Sequence, residues 1–124
     1  MKFSGYAIAV VFLFLAAMGL QAAGAKVTVK GYVLDSSCAF TKGIHKPVGK
    51  ECAIACANGG SQIVILADDG TIYWPISGTT PATGVNSRLL PFAGEKVTAT
   101  GMVYRRGGSK AIVIDTLAPQ APGK

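Results

Sequence analysis

Three cysteines and the only histidine of the chain share one short stretch: Cys38, His45, Cys52 and Cys56, at intervals of seven, seven and four. Such a set coordinates a transition metal, forms a disulfide, or does thiol redox chemistry. Zinc takes four tetrahedral ligands, and three cysteines with one histidine are a recurring structural combination. Copper(I) is the alternative, because it also favours thiolates. The intervals differ from those of common zinc fingers, which usually pair cysteines two to four residues apart at both ends.

Disulfide chemistry competes for the same thiols. Three cysteines always leave one unpaired. Cys38 bonded to Cys52 or to Cys56 would tie the first strand to a following helix. A bond between Cys52 and Cys56 is disfavoured if both lie on one regular helix, where their side-chain vectors splay. A redox pair of Cys52 and Cys56 is a third possibility. Asp35 also has two readings. It could orient a metal-bound imidazole by hydrogen bonding, or form an Asx-turn at a strand end ahead of Ser36 and Ser37. Lys42, Lys46 and Lys50 lie near the thiols in sequence and would lower their pKa. The same spacing of four is equally that of a solvated face.

Other chemistries lack their residues. Cysteine–histidine nucleophilic catalysis would need a free, activated thiol, and no local signature supports it. The cysteine pair is C-x-x-x-C rather than C-x-x-C, which argues against thioredoxin-like chemistry and covalent haem attachment. Gly59-Gly60 and Gly107-Gly108 read as turns, not phosphate cradles. Tyr73 and Trp74 could stack on a ligand or serve as cross-strand packing. The reading is of a non-enzymatic domain.

Position in the cell bears on the thiols. Lys2 precedes an apolar run over residues 6–20, and Ala23-Gly24-Ala25 follows as a small-residue cleavage pattern. This is the layout of a secretory signal peptide, with cleavage expected after Ala25. The run is shorter than the roughly 20 residues that span a bilayer. Periplasmic or extracellular localisation follows, with a membrane anchor through uncleaved residues 6–25 as the alternative. An oxidising compartment favours a disulfide. The full chain carries a net charge of +6, one less without Lys2. That basic balance suits an anionic surface or small ligand as well as plain solubility. No nucleic-acid partner is expected outside the cytoplasm.

The elements that must position the cluster are mostly strands. Residues 26–33 alternate, with Val27, Val29, Gly31 and Val33 on one face, as a half-buried strand does. Residues 62–66 and 71–76 read as a hairpin around Asp69-Gly70, with Pro75 at an edge or bulge. Residues 77–87 form a surface loop rich in Gly, Thr and Pro, and residues 87–92 one helical turn ending before Pro91. Strands follow at residues 96–104 and 110–117. Residues 26–33 echo residues 96–103 at five of eight positions, each with a central glycine, Gly31 and Gly101. A glycine inside a strand marks a bulge or barrel bend. Residues 49–57 break the pattern and read as a two-turn helix that puts Cys52 and Cys56 on one face. Three segments result: signal peptide 1–25, an all-β domain 26–117, and a disordered tail 118–124.

Gly31-Tyr-Val-Leu-Asp-Ser-Ser-Cys38, then His45, Glu51-Cys52 and Cys56, then Leu90-Pro-Phe-Ala-Gly94 and Lys96-Val-Thr-Ala-Thr-Gly101 together resemble small exported bacterial domains of uncharacterised function. The resemblance covers most of residues 26–124. It implies a five-stranded OB-like barrel with the Cys-bearing helix after strand one, and carries no activity or substrate. The usual OB layout puts its helix between strands three and four.

Overall fold

The alternation of residues 26–33 becomes strand β1 (Ala25–Asp35) in a computed structural model that describes residues 24–42 and 49–121. Val29, Gly31 and Val33 face inward, and Thr28 and Lys30 face solvent. The alternation stops at Leu34 and Asp35, which are buried as well. A short helix, α1 (Ser36–Thr41), follows at once and covers that outer face, so Leu34 packs with Cys38, Ala39, Val64 and Leu66. Helix α2 (Lys50–Asn58) then leads into β2 (Ile63–Ala67) and β3 (Ile72–Pro75). Helix α3 (Asn86–Leu89) and a 3₁₀ turn (Leu90–Phe92) precede the long strands β4 (Lys96–Arg106) and β5 (Ser109–Pro119).

The five strands close into a barrel in the order β1-β2-β3-β5-β4. All pairings are antiparallel except β3 with β5. The interior is filled by alternating residues of every strand, including Val29, Val33, Ile65, Val97 and Ile112, with Leu89 of α3 wholly buried among them. The echoed segments are neighbours: Lys26 pairs with Met102, and Tyr32 with Lys96.

β1 serves two ladders. It pairs with β4 through Tyr32 and with β2 from Gly31 onward. Gly31, where the ladders overlap, allows no side chain, because a Cβ there would collide with the Leu66 carbonyl oxygen and lie 2.7 Å from the Ala67 Cα. Gly101 is confined in the same way against the Val113 carbonyl, beside a register shift between Thr100 and Gly101. Both glycines thus stand where backbone approaches closely, and the expected irregularity appears as the register shift beside Gly101.

Some expectations need correction. Asp35-Ser36-Ser37 starts a helix rather than an isolated turn, so there is more than one short helix. Pro91 lies inside the 3₁₀ turn instead of after it, at an early position where a missing N–H costs little. Pro75 is buried at the end of β3, where Ile76 makes the next hydrogen bond to the Ile112 carbonyl. β5 runs past residue 117: Ala118 and Pro119 pair with Thr98 and Val97, and the Gln120 N–H donates to the Lys96 carbonyl at 2.8 Å. The tail expected at 118–124 thus begins with ordered strand, and residues 122–124 lie outside the described residues. Of the expected signal peptide, 1–25, residues 1–23 also lie outside them, and Ala25 is already the first residue of β1. Among the described residues no helix is long and apolar enough to cross a membrane.

Gly31→Ala and Gly101→Ala should each destabilise the barrel by about 2–3 kcal/mol, because backbone must move to admit one methyl group. Urea melts of the two variants would show it. Gly49→Ala, where a Cβ meets nothing within 4 Å, is the control and should change stability by under about 1 kcal/mol.

Candidate metal centre

Cys38 reaches the site because Asp35 starts α1. The Asp35 side chain is the helix N-cap, and its Oδ1 accepts from the Cys38 backbone N–H at 3.0 Å. This bond satisfies one of the four orphan donors of a helix start. It also turns the Cys38 thiol into the buried layer between α1 and the barrel.

Cys52 and Cys56 arrive from α2. Gly49 caps that helix, and its carbonyl accepts from the Ala53 N–H at 3.1 Å. Glu51 in the first turn suits the positive end of the helix dipole. Ala53 is fully buried, while Cys56 packs at the edge of the Cys38 cluster and Cys52 stays exposed. Asn86 fixes the chain leaving α2: its Oδ1 accepts from the Ile63 N–H and its Nδ2 donates to the Ser61 carbonyl, both at 2.9 Å. Ser61 Oγ returns to Asp35 Oδ1 at 3.4 Å, and the Ser36 N–H donates to the Gln62 carbonyl at 2.8 Å.

The three sulfur atoms lie within 4.8 Å of one another. Thiolates bound to one zinc at ~2.3 Å sit about 3.8 Å apart around a tetrahedron, so small side-chain adjustments bring all three onto one ion. All three are free cysteines. His45, expected as the fourth ligand, lies outside the described residues. Asp35 is near enough to influence two of the thiols but is not part of the close group.

The electrostatics call for a cation. The Cys38 thiol is pushed up to about 12, first by hydrogen bonding to Asp35, then by burial and by the Asp35 charge, with Cys52 adding less. Cys56 is also raised, mainly by desolvation. Asp35 is completely buried, and its Oδ2 has no hydrogen-bond partner of good geometry among the described residues. A sequestered carboxylate beside several thiols opposes any further negative charge, and a bound cation reverses that penalty. The donor set and the orphaned oxygen both fit a metal.

Among the described residues no lysine contributes to the shifts of Cys38 and Cys56. Lys50 pairs with Glu95 at 3.6 Å, Lys42 is exposed, and Lys46 lies outside the described residues. For Lys42 and Lys50 the solvated-face reading holds. Sequence reasoning missed Asn86 and Ser61. An Asn just before a helical turn is visible in sequence, but its partners 23 and 25 residues away are not. No family model, curated protein or solved structure matches the chain.

The metal-free chain should lose stability in alkali. Folding holds the Cys38 proton up to about 12, whereas an unperturbed thiol releases it near 9.0. Between those values the folded state binds more protons, so stability falls as pH rises through the window. Asp35→Asn keeps an acceptor for the cap but removes the charge, and should move the Cys38 titration back towards 9.0. Thiolate absorbance across a pH series measures the titration, and denaturant melts at the same pH values measure the stability. Asp35→Ala removes the cap as well and should cost about 1–2 kcal/mol near neutral pH.

Proposed function

We propose that this chain is an exported, non-enzymatic, OB-like barrel module that binds one transition-metal ion through Cys38, Cys52 and Cys56, with His45 as the fourth ligand. The observation that carries the reading is the mutual approach of three sulfurs to within 4.8 Å, from two separate helices, at the site of a buried carboxylate with an unpartnered oxygen. Zinc in a structural role suits this best, because three thiolates and an imidazole complete its tetrahedron. Copper(I) is the alternative metal, on the softness of the same donors. Asp35 holds α1 in place and adds negative charge near the ion. In this role the metal joins α1 to α2, two helices too short to be stable alone.

A disulfide reading is favoured by the same closeness. Cys38 comes from a different helix than Cys52 and Cys56, so a bond from it to either needs no distortion within one helix, and the other would remain the spare thiol. The N-terminal cleavage pattern supports export, and with it an oxidising environment, for either reading.

One measurement decides between them. The chain, produced in its own compartment, is assayed for bound metal and for reactive thiols in the same sample. The metal reading expects one ion per chain, three thiols recovered after chelation, and at least a tenfold loss of affinity in His45→Ala. It also expects intense thiolate-to-metal charge-transfer absorption when cobalt(II) replaces the native ion. Metal at a hundredfold excess over its Kd should add about 2.7 kcal/mol to stability. One reactive thiol and no metal would sink this reading and leave the disulfide.

A further inference from the structure

Away from the thiols, an open groove of about 490 Å³ lies between the β2–β3 turn and the β4–β5 turn. Phe40, Ile72 and Trp74 make its apolar wall, and Lys110 with the Gly107-Gly108 backbone makes its far rim. Phe40 is 67% exposed, more than the other exposed large apolar side chains among the described residues. Its ring stands 6.3 Å from that of Trp74, tilted by 34°. Two aromatic faces at this spacing, one of them largely wet, gain by covering a further flat ring. The volume lies in the range of small-molecule sites.

The charge at the rim is one-sided. Lys110 and Arg105 are directly opposed in the β4–β5 ladder, so their side chains share a face, and Arg106, opposed to Ser109, points to the other. Like charges opposed across strands destabilise a sheet. The Lys110 ammonium lies 5.7 Å from the centre of the Tyr73 ring. The carboxylate that acts on Lys110 is Asp69, which already accepts from the Thr71 N–H at 2.9 Å. Lys110 and Arg105 against one engaged carboxylate leave net positive charge at the rim.

We propose that this groove binds a small organic anion that carries a flat apolar ring. The ring lies against Phe40 and Trp74, and the anionic group faces Lys110, the cation that lines the groove. The glycines of the β4–β5 turn leave the rim free of side chains, since a Cβ at either would meet nothing within 4 Å. No bond is made or broken. The site shares α1 with the thiol cluster through Phe40 but does not require a metal there.

Trp74 is the chain's single tryptophan, so its indole N–H gives one isolated NMR signal. Naphthalene-2-sulfonate titrated into the purified full-length chain should move that signal saturably. Phe40→Ala should weaken binding at least tenfold, and Lys110→Gln at least fivefold. The neutral 2-naphthylmethanol should bind at least fivefold more weakly than the sulfonate, and raised salt should weaken the sulfonate alone. An amide spectrum otherwise unchanged verifies folding of each variant, and Phe40→Leu serves where Phe40→Ala perturbs α1. An indole signal that stays fixed to millimolar probe overturns the proposal. So does equal binding of the neutral compound, or wild-type affinity in the folded Phe40 variants.

Discussion

Asp35 is the constraint on which the site depends. Among the described residues it is the only charged or polar side chain buried in the core, and it sits at the point where β1 becomes α1. Moving an ionised carboxylate out of water costs several kcal/mol unless hydrogen bonds replace the lost solvent. One oxygen has such bonds, from the Cys38 N–H and the Ser61 hydroxyl. The other does not. The first oxygen explains the local fold, because capping starts a helix directly after a strand. The second explains the chemistry, because an unsatisfied carboxylate oxygen beside thiols is stabilised by a proton or a metal ion.

The barrel makes this arrangement possible by closing below it. β1 pairs with β4 along its first part and with β2 along its second, with the changeover at Gly31 and Tyr32. Leu34 and Val64, outward-facing on β1 and β2, would otherwise present apolar surface to water. α1 covers them with Cys38 and Ala39. The cluster therefore rests on a rigid floor, and two of its three thiols belong to a helix that crosses the same floor. Asn86 and Ser61 join the chain after α2 to the base of the site, so strand β2 and Asp35 are fixed relative to one another.

Much of this was legible in the chain. Alternation gave β1, and Gly101 marked the irregularity in β4. Alanine-rich residues 49–57 gave the helix that aligns Cys52 and Cys56. What stayed hidden was mostly non-local. The first Ser-Ser-Cys turn read as a loop because an Asx-turn and an N-cap share the same residues, and only burial of Leu34 and Ala39 decides for a helix. The alanines and prolines after Leu117 read as a tail because their composition resembles one, yet β4 continues opposite them. Helical spacing put Cys52 and Cys56 on one face, and their clustering in the chain with Cys38 suggested either a shared metal or a disulfide. The influence of Asp35 on Cys38 was not, since it arises from burial that no short motif records.

α1 has six residues, too few to be stable in isolation. Its order must come from its ends and its packing. Asp35 fixes the first turn, and Cys38 and Ala39 anchor one side to the barrel. Phe40 is the next residue and points the other way, into solvent beside Trp74. The exposed ring is therefore held in place by the buried side of its own helix, and any force that tightens Cys38 against α2 also steadies Phe40. A metal shared by Cys38, Cys52 and Cys56 would exert such a force. The cost of leaving an aromatic ring in water is thus linked, through two adjacent peptide units, to the cost of burying the Asp35 carboxylate.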